Sequence, residues 1–150
     1  MTERPLTEMP PFKVAGSPVD PAGLRVTVGG SEIRLEAKAM QVLIFLAERA
    51  GCVVSRAELE ENLWPGRVVT EDSVIKAIAK LRRVFHDDAR EPRVIETIPK
   101  SGYRLIAQVT QATEGERRTA VSSDIKGKSA LRQRALHLKW VAGLGVAVLL

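Results

Sequence analysis

One cysteine, two histidines and no catalytic fingerprint: this sequence is first informative for what it does not contain. Cys52 is the only cysteine among 150 residues, so an internal disulfide is impossible and a reducing compartment fits the chain. His86, His137 and Cys52 are too few and too scattered for a zinc site, and neither metal nor cofactor is expected. The sequence has no Gly-Lys-Ser/Thr phosphate loop, no dinucleotide fingerprint and no Gly-x-Ser-x-Gly elbow. Gly143-Leu144-Gly145 lies in an apolar tail, without the strand–turn–helix setting a phosphate-binding turn needs. Glu58, Glu60 and Glu61 read as solvated surface carboxylates rather than an acid/base pair. The chain is therefore not expected to be an enzyme. The opening "MTERPLTEMPP" has no apolar core and is no signal peptide; residues 1–11 read as a disordered leader.

The length leaves room for one core of about 100 residues with tails. The net charge is +5, unevenly spread. The block from Phe12 to Val109 is only mildly basic, and most of the excess lies beyond it. A nucleic-acid function must therefore rest on where the charges sit rather than on their sum.

Composition shifts divide that block. From Phe12 to Leu35, the β-prone pieces "FKV", "LRVTV" and "SEIRL" alternate with the turn signals "SPVDPAG" and "GG". Gly29-Gly30 between two alternating runs predicts a two-residue hairpin, because both residues accept positive φ. Three helical stretches follow. Ala37–Ala50 places Met40, Leu43, Ile44 and Ala47 at helical spacing before Gly51, a natural residue just past a helix end. "SRAELEENLW" opens on a capping box, Ser55 and Glu58, and stops at Trp64 because Pro65 follows. The third runs from about Glu71 to Phe85, with Thr70 to cap it and Glu71 and Asp72 at the positive end of its dipole. "GCVVS" reads as a short buried strand with Cys52 as a small hydrophobe. A last hairpin reads "RVIETI", "PKSG", "YRLIAQV". Strands, three helices and a hairpin make one α+β domain.

The third helix carries the most information. Val74, Ile78, Leu81 and Phe85 form one apolar stripe. Ser73, Lys76, Ala77, Lys80 and Arg83 fall around the other side, with Arg82 at its flank, and no anion interrupts the run from Ser73 to Arg83. Small or hydrogen-bonding side chains flanked by cations suit a helix that lies in a DNA major groove. The hairpin "IPKSGYRL" adds Lys100 at its tip, Gly102 at its bend and Arg104 on the returning strand, a shape able to follow phosphates or enter the minor groove. The acidic helix before the basic one fits a supporting helix in a helix-turn-helix unit.

The run from "LEAKAMQVLIFLAERAGCVVSRAELEENLW" through "VVTEDSVIKAIAKLRRVF" to "RVIETIPKSGYRL" resembles the winged-helix DNA-binding domain of OmpR/PhoB-type transcription regulators. The resemblance covers roughly Phe12 to Val109. It implies a winged helix-turn-helix fold: a four-stranded N-terminal antiparallel sheet, three helices and a C-terminal β-hairpin wing. By position it implies that Ser73, Lys76, Ala77 and Lys80 face bases and nearby phosphates. Arg82, Arg83, Thr97, Lys100, Ser101 and Arg104 would chiefly contact the backbone of double-stranded DNA. It also implies an RNA polymerase contact through Pro65, Gly66, Arg67, Val68, Val69, Thr70 and Glu71, and dimerisation on DNA. Ala79 is small where many relatives carry a cation, which weighs against strong operator affinity. Only eleven residues precede the first strand, too few for a phosphorylated receiver domain. The "IPKSGY" wing is nearer the membrane-anchored branch, similar to the ToxR and CadC regulators, in which the DNA-binding domain comes first.

The tail fits that branch. Trp140–Leu150 is an apolar run preceded by Lys126, Lys128, Arg132, Arg134 and Lys139, the arrangement expected at the cytoplasmic start of a membrane span. A complete span needs about 20 apolar residues, so the run is expected to be the beginning of a truncated transmembrane helix. Residues 110–129 read as a flexible linker and 130–139 as a basic juxtamembrane segment. The expected protein is a sequence-specific transcription regulator with a cytoplasmic DNA-binding domain, anchored in the inner membrane by a single pass. An alternative from another class is a winged-helix protein-interaction module held at the membrane surface by its basic tail.

Overall fold

The computed structural model describes residues 5–66 and 72–113. A 3-10 turn (Leu6–Glu8) precedes strands β1 (Phe12–Val14), β2 (Ser17–Asp20), β3 (Arg25–Val28) and β4 (Ser31–Arg34). Helix α1 (Ala37–Glu48), strand β5 (Val53–Val54) and helices α2 (Arg56–Leu63) and α3 (Asp72–Phe85) follow. Strands β6 (Ile95–Ile98), β7 (Gly102–Leu105) and β8 (Val109–Gln111) complete the domain. The class is α+β, as expected, with two antiparallel sheets ordered β4-β3-β2-β1-β8 and β5-β7-β6.

The turn at Gly29-Gly30 forms as the sequence predicts. Val28 stands opposite Ser31, and both glycines have positive φ, 57° and 82°. Such a turn matches the right-handed twist of the strands it joins. A second two-residue turn, Ala15-Gly16, joins β1 to β2 with φ of 50° and 76°.

Five readings change. "SPVD", taken as turn, is strand β2. Its Pro18 stands opposite Lys13 of β1 but outside the residues β2 pairs with β3, an edge-like setting in which a strand tolerates proline. "YRLIAQV", taken as one strand, divides: β7 pairs with β5 and β6, whereas β8 crosses to β1 as a fifth strand of the N-terminal sheet. Thr110 and Gln111, assigned to the linker, thus lie in a strand, and Ala112 beyond it is buried. Part of the leader is also structured, because Leu6 and Met9 pack against the core. Cys52 is exposed rather than buried and lies just before β5, of which only Val54 is buried.

The core sits around α1, where Ala39, Met40, Val42, Leu43, Ile44, Phe45 and Leu46 are all buried. A helix apolar on so many sides must be enclosed. Helices α2 and α3 and strand β7 pack against it. The expected capping box opens α2: the Glu58 N–H donates to Ser55 Oγ at 3.1 Å, and the Ser55 N–H donates to Glu58 Oε2 at 2.8 Å. The bond from the Ser55 backbone holds the Glu58 carboxyl below its ordinary pKa. At the other end of α2, the Lys38 ammonium donates to the Leu63 carbonyl and stands 5.3 Å from the Trp64 ring centre.

Gly102 fixes how closely the last hairpin approaches β5. Its φ is 144°, and a Cβ there would stand 2.0 Å from the Val54 carbonyl oxygen. Backbone is on both sides of that contact, so no rotamer change relieves it. Gly102→Ala is expected to cost about 3 kcal/mol, the upper range for overpacking, read from the urea midpoint. A variant as stable as the wild type would mean that the two segments do not meet this way.

Candidate nucleic-acid interface

Helix α3 has two distinct faces. Val74, Ala77, Ile78, Leu81, Val84 and Phe85 are buried, while Asp72, Ile75, Lys76, Ala79 and Arg83 are exposed. The exposed set recurs at i, i+3, i+4, i+7 and i+11 and makes one continuous stripe. This corrects one residue of the sequence reading. Ala77, assigned to the outer face, is only 8% exposed and belongs to the core. Counted at 3.6 residues per turn, Ala77 lies about 70° from the centre of the apolar stripe, near enough to be covered by neighbouring elements. Ser73 and Lys80, on the same flank, are half-buried. The stripe also holds Ala79, noted in the sequence only for its small size, and Ile75, which the sequence reading did not place at the site; the same angular count would have found it.

The helix ends where its chain direction must reverse toward the hairpin. His86 adopts positive φ, 53°; its N–H donates to the Arg83 carbonyl at 3.3 Å, and the Asp87 N–H donates to the Arg82 carbonyl at 2.8 Å. This is a Schellman termination with histidine where glycine is usual. The Asp87 carboxylate then accepts from the backbone N–H groups of Arg93, Val94 and Ile95 at 2.6, 3.2 and 2.8 Å. One side chain thus clamps the end of α3 to the first strand of the hairpin.

Arg82 makes the second link. Its Nη2 donates to the Ile95 carbonyl at 3.0 Å and to Thr97 Oγ1 at 2.7 Å, while its Nε is buried without a partner. The sequence assigned Arg82 and Thr97 to a DNA backbone; the structure engages them with each other. The hairpin turns through Pro99, Lys100 and Ser101, all exposed, with Lys100 at φ 63° and the Ser101 N–H donating to the Ile98 carbonyl at 3.1 Å. Lys100, rather than Gly102, takes the left-handed position of the bend.

Two more cations of the expected set already have anionic partners. Lys80 pairs with Glu36, just ahead of α1, and Arg104 donates to Glu96 on the neighbouring strand, 3.0 Å from Nε and 2.5 Å from Nη2. Lys76, Arg83 and Lys100 are exposed and have no ion-pair partner among the described residues. Pro65 and Gly66 are exposed, whereas Arg67, Val68, Val69, Thr70 and Glu71 lie outside the described residues. Among the described residues no group of His, Cys, Asp or Glu could hold a metal ion.

Three helices, the N-terminal sheet and the hairpin beside α3 define a winged helix-turn-helix domain. The chain belongs to the family described as "Transcriptional regulatory protein, C terminal", which matches residues 30–105. The transcriptional activator CadC of Escherichia coli is 34% identical over 110 residues, covering 73% of this chain and 22% of CadC. The cholera toxin transcriptional activator of Vibrio cholerae is 34% identical over 106 residues, covering 69% of this chain and 36% of that protein. The chain therefore spans well under half the length of either relative. Among solved structures, the DNA-binding domain of E. coli CadC is similar at a TM-score of 0.61 and 31% identity, covering 69% of this chain and 98% of that one. The DNA-binding domain of Klebsiella pneumoniae RstA, solved in complex with the RstA box, is similar at 0.56 and 30% identity, covering 64% and 96%.

The Arg82 tie is testable without any ligand. Arg82→Met removes both hydrogen bonds but keeps an apolar stem, and it also removes the unpartnered Nε. The net loss of stability is expected to be about 1.5 kcal/mol, at the lower end for bonds from a charged donor. Thr97→Val should cost less, since the bond to Ile95 remains. A double-mutant cycle by urea denaturation should show coupling between the two; strict additivity would mean that helix and hairpin are not joined through this pair.

Proposed function

We propose that this chain binds a specific sequence in double-stranded DNA as the DNA-binding part of a transcription regulator. The observation that carries the reading is the exposed stripe of α3, with Lys76 and Arg83 on it, and the wing with Lys100 at its tip tied to the same helix through Arg82. A helix of this kind fits the major groove, where each base pair shows a distinct pattern of donors, acceptors and methyl groups. In this reading Lys76 and Ser73 face base edges, with Lys80 exchanging Glu36 for DNA. Arg83, Lys100, Ser101 and Arg104 neutralise or hydrogen-bond phosphates. Arg82 and Thr97 act through the wing they hold. Support comes from the similarity to a domain solved in complex with its DNA box and to proteins described as transcriptional activators.

Two finer parts of the proposal rest on the sequence. The segment from Pro65 to Glu71 joins the supporting and reading helices and is the proposed contact with RNA polymerase. The run Trp140–Leu150, outside the described residues, is the proposed cytoplasmic end of an inner-membrane anchor. The five cations before it lie where each would add about 1 kcal/mol of attraction to an anionic leaflet. Residues 114–129 would be the tether, and dimerisation would occur on the DNA. No helix among the described residues is long and apolar enough to cross a membrane.

The DNA reading separates into contacts that specify and contacts that hold. Lys76→Ala should weaken binding to the selected site by about 1–3 kcal/mol more than binding to random duplex. Lys100→Ala should lower the slope of log affinity against log salt by about 0.9. Equal losses on both DNAs would make Lys76 a phosphate contact, and no loss on either would remove α3 from the interface. The anchor is tested on the native full-length protein, which should stay with membranes through high salt and alkali and be released by detergent. Recovery in the soluble fraction would end the tethered reading.

A further inference from the structure

We infer that Ile75 makes the bound sequence specific for thymine, by packing its side chain against a C5-methyl group in the major groove. The inference rests on the DNA reading of α3 proposed above. Among the described residues only three large apolar side chains are exposed, Val53, Ile75 and Ile106, and Ile75, at 43%, is the one on a helix. Its side chain does little for folding. It lies outside the buried face of α3, and a β-branched residue forms helix less readily than alanine or lysine would in the same place.

Its surroundings indicate what it meets. Lys76 follows it, Ala79 lies one turn on, and Arg82 lies two turns on along the same flank, with its guanidinium fixed to the wing strand. Ile75 therefore lies on the flank of α3 from which Arg82 reaches the wing strand. Ala79, one turn away, presents only a methyl group and lets the helix approach closely. A protein partner seated here would need a contiguous apolar surface, whereas this is one branched side chain bordered by Lys76, with Asp72 one turn before it and Arg82 two turns on. That combination suits a polyanion carrying isolated methyl groups. In the major groove the thymine C5-methyl is the only apolar group that a base pair presents. Isoleucine can neither donate nor accept a hydrogen bond. Set against guanine O6 and N7 or cytosine N4, it would displace water and leave those groups unpaired.

The test uses duplexes selected from a random library by the 150-residue chain. Each thymine of the recovered site is replaced in turn by deoxyuridine, which removes the methyl group and nothing else. At one position or more the wild type should bind about fourfold more weakly, the factor that burying one methyl group corresponds to. Ile75→Ala should bind the thymine site more weakly and be indifferent to that same replacement, while Ile75→Val should keep most of the sensitivity. Circular dichroism and thermal melting verify that the variants fold, as expected for an exposed position. A recovered site insensitive to every deoxyuridine would overturn the inference, and so would full sensitivity in Ile75→Ala. Failure to enrich any sequence is a different result: it would defeat the DNA reading itself, and the thymine contact with it.

Discussion

The burial of α1 is the constraint on which the rest of the domain depends. Met40, Val42, Leu43 and Leu46 are completely enclosed, and Ile44 and Phe45 nearly so. Each such side chain contributes roughly 1.5–3 kcal/mol when removed from water. That gain requires cover on several sides at once, which α2, α3 and β7 supply. Their own apolar faces must then point inward. Val74, Ile78 and Leu81 turn toward the core, and the opposite stripe of α3 is left outside as a consequence. The exposed face of α3 is thus set by a helix that presents none of these residues to solvent.

Orientation of α3 alone would not make a two-part surface. The wing must also stand at a fixed angle to it, and two polar contacts and one steric constraint position the wing. Asp87 gathers three backbone donors that a tight turn would otherwise leave unpaired, and each would be costly to bury unsatisfied. Arg82 spans from the helix to β6, and the closeness of β7 to β5 depends on the missing Cβ of Gly102. These are short-range, directional contacts between few atoms. Packing decides that the wing lies near α3; these contacts decide where.

Most of the architecture was legible because it rests on local rules. The Gly29-Gly30 turn, the Ser55–Glu58 capping box and the apolar stripe of α3 are each written within a few consecutive residues. The misread elements depend on which strands they pair with, which their own composition does not state. Nothing local in "LIAQV" says that Val109–Gln111 leaves the wing to pair with Phe12–Val14, since the chain remains extended in either case. Ser17–Asp20 has turn composition and becomes a strand only because β1 and β3 flank it. The site was legible as a helix and a hairpin but not residue by residue. Ala77 was misplaced because a small residue at the margin of a stripe is buried or exposed according to what packs beside it. Arg82 and Thr97 were expected to reach outward, and only their separation in space shows that they reach each other.

Their mutual engagement bears on how a domain of mild charge could discriminate among DNA sequences. Attraction to phosphates is indifferent to sequence and grows with the number of cations available to them. Here Arg82 is held by the wing, while Arg104 and Lys80 face Glu96 and Glu36. Surface ion pairs of this kind add little stability, typically no more than about 1 kcal/mol. Their larger effect is on the field, because each paired cation must give up a carboxylate before it serves a phosphate. For the proposed interface, the sequence-independent part of binding is correspondingly weakened. At that interface, a site that re-aims those cations and also fits the stripe of α3 gains both contributions together, whereas random duplex gains neither in full. Discrimination would then come from the geometry that α1 and the wing junction impose on a modest set of charges, rather than from the amount of charge.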